Sequence, residues 1–157
     1  MPIHSLPQPI FIYSGGFNLQ LEGHVFPAVK FDQIHAKLKE DPAFAEHRFF
    51  EPMAASYDQL ALIHKKDYLN DLQMLNFSKR VYRSELPLNK TIIDAFFLST
   101  GGTIMAAEMA LEYGRAMNLS GGFHHAFADH AEGFCYINDV AVAVRVLQKQ
   151  NLIKRAL

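Results

Sequence analysis

A single cysteine, Cys135, stands in the 157 residues, so no internal disulfide can form and nothing requires an oxidising compartment. Excess charge is also missing. Fifteen lysines and arginines against sixteen carboxylates leave a formal charge of −1, which is no electrostatic footprint for nucleic acid or an anionic membrane surface. No uninterrupted apolar run approaches the ~20 residues of a spanning helix. The opening Met1-Pro2-Ile3-His4-Ser5-Leu6-Pro7 has neither the basic start nor the apolar middle of a secretory signal. Internal repeats and low-complexity tracts are absent too. These absences lead to the expectation of a cytoplasmic protein that binds neither nucleic acid nor membrane. What is present is a globular composition, 50% hydrophobic and 20% charged, sized for one domain or part of a larger one.

Residues 10–13, Ile-Phe-Ile-Tyr closed by Ser14-Gly15-Gly16, read as a buried strand and its turn. Pro27 opens a helix carrying Val29, Ile34 and Leu38, which Asp41-Pro42 stops. Residues 48–51 form a second short strand before Pro52. Residues 56–76 make one or two helices with Leu60, Ile63, Tyr68, Leu72 and Leu75 inward, broken near His64-Lys65-Lys66-Asp67. The strongest helical pattern runs from Asn89 to Tyr113, interrupted by Gly101-Gly102 and ended by Gly114. Residues 115–119 are a third strand. Asn138 and Asp139 then cap a helix reaching about Gln150, and residues 152–157 read as a turn opening into another strand. This alternation argues an α/β domain with a mainly parallel sheet.

The chemistry concentrates between Gly121 and Asp139, after a strand and before a helix, where open α/β sheets place their ligands. His124 and His125 would face opposite ways in a regular strand, but the flanking glycines allow both imidazoles to turn to one site. Adjacent imidazoles suit proton transfer, because a proton on one discourages a proton on the other. The pair equally suits one core and one solvated histidine. His125, Asp129 and His130 are metal-ligand types, and with His124 they allow a small local metal site, although four and five residues apart is no zinc signature. Glu132 is either a general base or a solvated loop carboxylate. Cys135, between Phe134 and Tyr136, reads as a buried small hydrophobe.

Gly121-Gly122-Phe123-His124-His125-Ala126, followed by Glu132-Gly133-Phe134-Cys135-Tyr136-Ile137-Asn138-Asp139, resembles the histone deacetylase family with its acetoin-utilisation and acetylpolyamine amidohydrolase members. Ser99-Thr100-Gly101-Gly102-Thr103 is similar to that family's glycine pair in the preceding helix. Gly114-Arg115-Ala116-Met117-Asn118-Leu119 resembles the strand that delivers the loop. Gly23-His24-Val25-Phe26-Pro27 and His64-Lys65-Lys66-Asp67-Tyr68 resemble amino-terminal segments of the bacterial and class IV branches.

The resemblance implies an arginase/deacetylase-like three-layer α/β fold with a mainly parallel sheet, of which residues 1–157 would be the amino-terminal part of one catalytic domain. It implies hydrolysis of an N-acetyl or longer acyl amide, on lysine-type or polyamine substrates. In that reaction His125 would be the general base and then the acid, with His124 as its partner. Gly133 and Phe134 would line the acyl channel, Cys135 and Tyr136 would pack behind it, and Asn138 and Asp139 would be structural. Zinc or another divalent metal would serve the full-length protein, polarising the carbonyl and lowering the pKa of its water. The family's metal ligands, histidine-orienting carboxylates and tyrosine have no match here, so no metal is expected on this chain and by itself it is expected to be inactive. Residues 81–88 also lack the family's substrate-gripping aspartate. The alternative is a non-catalytic domain of the same fold that binds a partner or an acylated ligand. The implied strand order is second, first, third, with residues 116–119 left as an open edge, and self-association is expected there.

Overall fold

The computed structural model describes residues 9–21, 23–44 and 48–156. Three strands, β1 (Ile10–Ile12), β2 (Phe49–Phe50) and β3 (Ala116–Asn118), make one parallel sheet in the order β2-β1-β3. This is the order that the resemblance implies. Phe11 stands opposite Phe49 and Met117, and all three β1 residues are buried, as a continuous apolar run in a parallel sheet should be. The strands are shorter than the segments 10–13, 48–51 and 115–119. Their flanks still take ladder bonds: Tyr13 N donates to the Phe50 carbonyl at 3.0 Å and Leu119 N to the Ile12 carbonyl at 2.9 Å. Among the described residues no strand pairs with the outer side of β3, where Met117 is half exposed.

Helix α1 (Lys30–Glu40) starts three residues after Pro27, whose carbonyl accepts from Lys30 N at 3.0 Å in the preceding turn. Asp41 ends it as expected. Its inward anchor is Phe31; Val29 and Ile34 are exposed, because positions 29, 34 and 38 do not share one helical face. Residues 56–76 divide into α2 (Tyr57–Leu60), opened by a capping box between Ser56 and Gln59, and α3 (Lys66–Gln73). Leu60, Tyr68, Leu69 and Leu72 are fully buried. Leu75 lies past the end of α3 at a φ of 54° and is partly exposed, so it leaves the inner stripe. A short helix, α4 (Lys79–Tyr82), was not legible in the sequence.

Helix α5 (Lys90–Tyr113) is the spine of the domain. Asn89 caps it by accepting from Ile92 N at 3.0 Å, and Gly114 closes it at a φ of 88°. By length and apolar composition it could cross a bilayer, but half of that apolar stretch is buried inside this fold. It packs against β1, β3, α3 and α6 (Asp139–Lys149), which is the duty of a core helix. Helix α6 contributes Val142, Ala143, Val146 and Leu147 to the same core.

The strand expected over residues 152–157 is not formed in the described part, which ends at Ala156; Leu157 lies outside it. Leu152 N donates to the Leu147 carbonyl at 3.0 Å, and Gln148 Nε2 donates to the Lys154 carbonyl at 3.2 Å. The segment folds back on the end of α6. A strand needs a ladder partner for its peptide groups, and among the described residues no strand pairs with these.

Candidate active site

The loop from Ser120 to Ile137 leaves the carboxyl end of β3 and returns to α6, and its ends are tied by side chains rather than by strand pairing. Asn138 Nδ2 donates to the carbonyls of His124 (3.0 Å) and Ala126 (3.2 Å), while Asn138 Oδ1 caps α6 through Ala141 N at 3.0 Å. Asp139, fully buried, accepts from the backbone N–H of Gly122 (3.0 Å) and Phe123 (2.7 Å). One residue holds loop carbonyls and the next holds loop amides. The chain is thus locked without a regular ladder.

His124 and His125 sit in the turn of this locked loop, both exposed, with ring centroids 4.3 Å apart and planes inclined by 39°. The structure therefore brings both imidazoles to one place and removes the reading of one core and one solvated histidine. His124 Nδ1 lies 2.9 Å from the Gly122 carbonyl, which can only accept, so Nδ1 carries the proton of that bond. The His125 ring lies against Gly133. A Cβ built on Gly133 would stand 3.1 Å from His125 Cγ, and Gly133 itself has a φ of 51°. Only glycine combines that backbone with that contact.

Phe134 follows at a φ of 62°, its ring 5.4 Å from His24 and 6.4 Å from Phe26. His24 Nδ1 accepts from Phe26 N at 3.0 Å, which leaves Nε2 as the protonated nitrogen facing the Glu85 carbonyl at 3.4 Å. An aromatic wall thus stands beside the histidine pair. It is braced from the α4 side: Phe134 N donates to the Ser84 carbonyl at 2.9 Å, and Tyr136 Oη to the Leu86 carbonyl at 2.8 Å. Cys135 is buried behind it, and burial pushes its thiol above the ordinary range, so it is no nucleophile.

The remaining loop residues serve elsewhere. Glu132 pairs with Arg83 at 2.7 Å, which answers for its charge without a role as base. Asp129 accepts from Lys65 Nζ at 2.9 Å and from His130 Nδ1 at 2.8 Å, and these bonds hold its carboxyl down at about 2. His125 does not join Asp129 and His130, and no group of three His, Cys, Asp or Glu side chains that could hold a metal ion occurs among the described residues. The local metal site gains no support from the geometry.

His64, read in the sequence as a helix break and as part of a family-like segment but given no role, is the hidden member of the assembly. It is buried, accepts at Nε2 from Asn138 N (3.1 Å), and donates from Nδ1 to the Phe127 carbonyl (2.9 Å). The bond that Nε2 accepts requires the neutral ring. Burial pushes its pKa down from 6.5 to about 4, with the backbone bonds opposing only in part. A histidine in an apolar run, just after Leu62-Ile63, was the signal for its burial. Because the folded pKa is the lower one, the unfolded chain takes this proton first as pH falls below 6.5. The stability contributed by neutral His64 is complete above 6.5 and is lost progressively towards pH 4, up to about 3 kcal/mol. Urea unfolding at pH 7.5 and 4.5 should differ by about 2–3 kcal/mol more in the wild type than in His64→Gln. Equal differences would refute this assignment.

A parallel-sheet α/β layer with its candidate site at the carboxyl end of a strand defines the class of protein. The histone deacetylase domain model matches residues 24–157, and the chain belongs to that family. It is 35% identical over 137 residues to an uncharacterised protein of Picosynechococcus, covering 87% of this chain and 46% of that protein. Histone deacetylase 2 of Arabidopsis thaliana is 30% identical, over 85% of this chain and 37% of its own length. The acetoin utilization protein AcuC of Bacillus subtilis is also 30% identical, over 90% and 40%. The chain spans less than half the length of these relatives.

Proposed function

We propose that this chain supplies the proton-transfer half of an amide hydrolase that removes acetyl or longer acyl groups from lysine-type or polyamine amines. The observation that carries the reading is the exposed histidine pair, its rings 4.3 Å apart and bordered by Gly133 and Phe134. In the reaction His125 takes a proton from the attacking water as the new C–O bond forms. It returns that proton to the nitrogen as the C–N bond breaks, leaving acetate and the free amine. His124, held through Nδ1 by the Gly122 carbonyl, stabilises charge beside it. The edge of Phe134 favours an extended apolar acyl-amine arm over a bulky one.

Family membership points to a divalent metal, zinc in this reading. The described residues do not fit one, since no three ligand-type side chains converge, and no step here is routed through a metal. The test uses the product of the complete reading frame, an acetyl-lysine peptide and an acetylated polyamine, with released acetate as the readout. Chelator-sensitive release from either substrate supports the proposal. Tight binding of the acylated ligand with no acetate released would favour the non-catalytic reading instead.

A further inference from the structure

A cleft of about 590 Å³ opens between the start of α3, helix α4 and the outer part of the histidine loop. Lys65 and Asp67 line it from α3, Lys79, Arg80 and Arg83 from α4 and its end, and Asp129 and His130 from the loop. His124, His125 and Phe134 do not line it, so it is a separate cavity from the candidate active site. Its walls are tied to each other. Lys65 N donates to the Ala128 carbonyl at 2.7 Å, Ala131 N donates to the Arg80 carbonyl at 2.8 Å, and Arg83 pairs with Glu132. The volume is that of a small-ligand site, and these cross-links form it before any ligand arrives.

The charge of the lining is one-sided: four cations face two carboxylates. Both carboxylates are already engaged within the wall. Asp129 accepts from Lys65 and His130 on its two oxygens. Asp67 accepts from Arg80 on Oδ2 and from Tyr68 N on Oδ1. The Arg80 bond on Asp67 and the Lys65 bond on Asp129 hold both carboxyls below the ordinary range, so neither takes a proton near neutral pH. Asp71 and Glu132 stand behind the lining and temper the excess, yet they leave donors over. Arg80 gives one nitrogen to Asp67 and one to Asp71, and Arg83 gives one to Glu132, whereas a guanidinium carries five N–H groups. Lys79 is exposed and forms no ion pair among the described residues.

Two guanidinium forks and two ammonium groups approach one cleft from several sides. That arrangement suits the three terminal oxygens of a phosphate better than the two of a carboxylate. We propose that this cleft is a binding site for a phosphate monoester, held by Lys79, Arg80 and Arg83, with Lys65 adding charge. The site uses neither imidazole of the histidine pair and stands apart from the hydrolase reading. The monoester is either a free small molecule or a phosphorylated side chain on the acylated substrate.

Calorimetric titration of the product of the complete reading frame, at low salt, tests this with two probes. One is phosphoserine, against serine; the other is an acetyl-lysine peptide with and without a phosphoserine. The phosphorylated form of each should bind and the plain form should bind more weakly, with added salt reducing the difference. Lys79→Gln, which breaks no ion pair, should weaken phosphoserine binding about tenfold, and Arg83→Gln by at least as much. Lys37→Gln removes the same charge from α1, outside the lining, and should leave the affinity within about twofold. A phosphopeptide that binds far more tightly than phosphoserine supports the site and places the phosphate on the substrate. Equal affinities support the site and assign it to a separate small ester. Absence of binding by both phosphorylated probes overturns the proposal, as does binding that neither Lys79→Gln nor Arg83→Gln weakens. The readout is binding, so a wild type that releases no acetate sinks the hydrolase reading alone.

Discussion

Alanine in place of Gly101 is expected to destabilise the domain severely. Gly101 is buried on α5, and the segment from Met53 to Ala55 crosses directly over it. An added Cβ would enter the van der Waals shell of the Met53 carbonyl oxygen and stand 3.0 Å from Ala55 N. That segment cannot drift away freely, because Ala55 N donates to the Phe97 carbonyl of α5 at 2.9 Å. The contact is backbone against backbone, so no rotamer change relieves it. Alanine gains about 1 kcal/mol of helix propensity over glycine, against about 3 kcal/mol or more for overpacking at a rigid site. The expected net loss is about 2 kcal/mol or more, read as a lower denaturant midpoint. Gly102→Ala meets the Asn118 side chain first, at 2.9 Å, and should cost less stability while loosening the cluster around Asp139. A Gly101→Ala protein as stable as wild type would mean that α5 and the 53–55 segment do not pack this way.

The second large effect concerns turnover. His125→Ala, in the product of the complete reading frame, is expected to lower kcat by about 10²–10⁴-fold, the usual weight of a positioned general acid–base. His124→Ala should cost less. The distinction follows from the geometry: His124 already engages Nδ1 with the Gly122 carbonyl, whereas His125 lies against Gly133, next to the Phe134 wall. KM should change little in either variant, since neither ring forms that wall. Equal and small losses would refute the division of roles.

How far these residues were legible in the sequence varied with the range of the forces that place them. Helix α5 was read nearly to the residue, because Asn89 and Gly114 are local signals acting on adjacent peptide groups. The break at His64 and the start of α6 at Asn138-Asp139 followed from the same kind of signal. Helix α1 was located, but its inner face was misjudged, since Val29 and Ile34 turn outward while Phe31 is buried. Burial depends on what lies opposite, and that is not written in the segment itself. The strand order came from the resemblance, as three short apolar runs carry no order of their own.

The sequence by itself determined the α/β alternation, the ends of the long helix, the glycine-framed histidine loop and, through its motifs, the family. Those properties live in residues that are neighbours along the chain. Only the tertiary structure decided that both imidazoles share one exposed turn, and that His64, 60 residues before His124, is a neutral brace behind it. It also decided that Asp139, bonded by Thr103 from 36 residues away, holds the loop amides. It showed that residues 152–156 fold back on α6 where a strand had been expected. The bonds of His64 and Asp139 join segments distant along the chain. A buried donor or acceptor takes whatever partner the fold brings to it, and that partner has no fixed spacing in the chain.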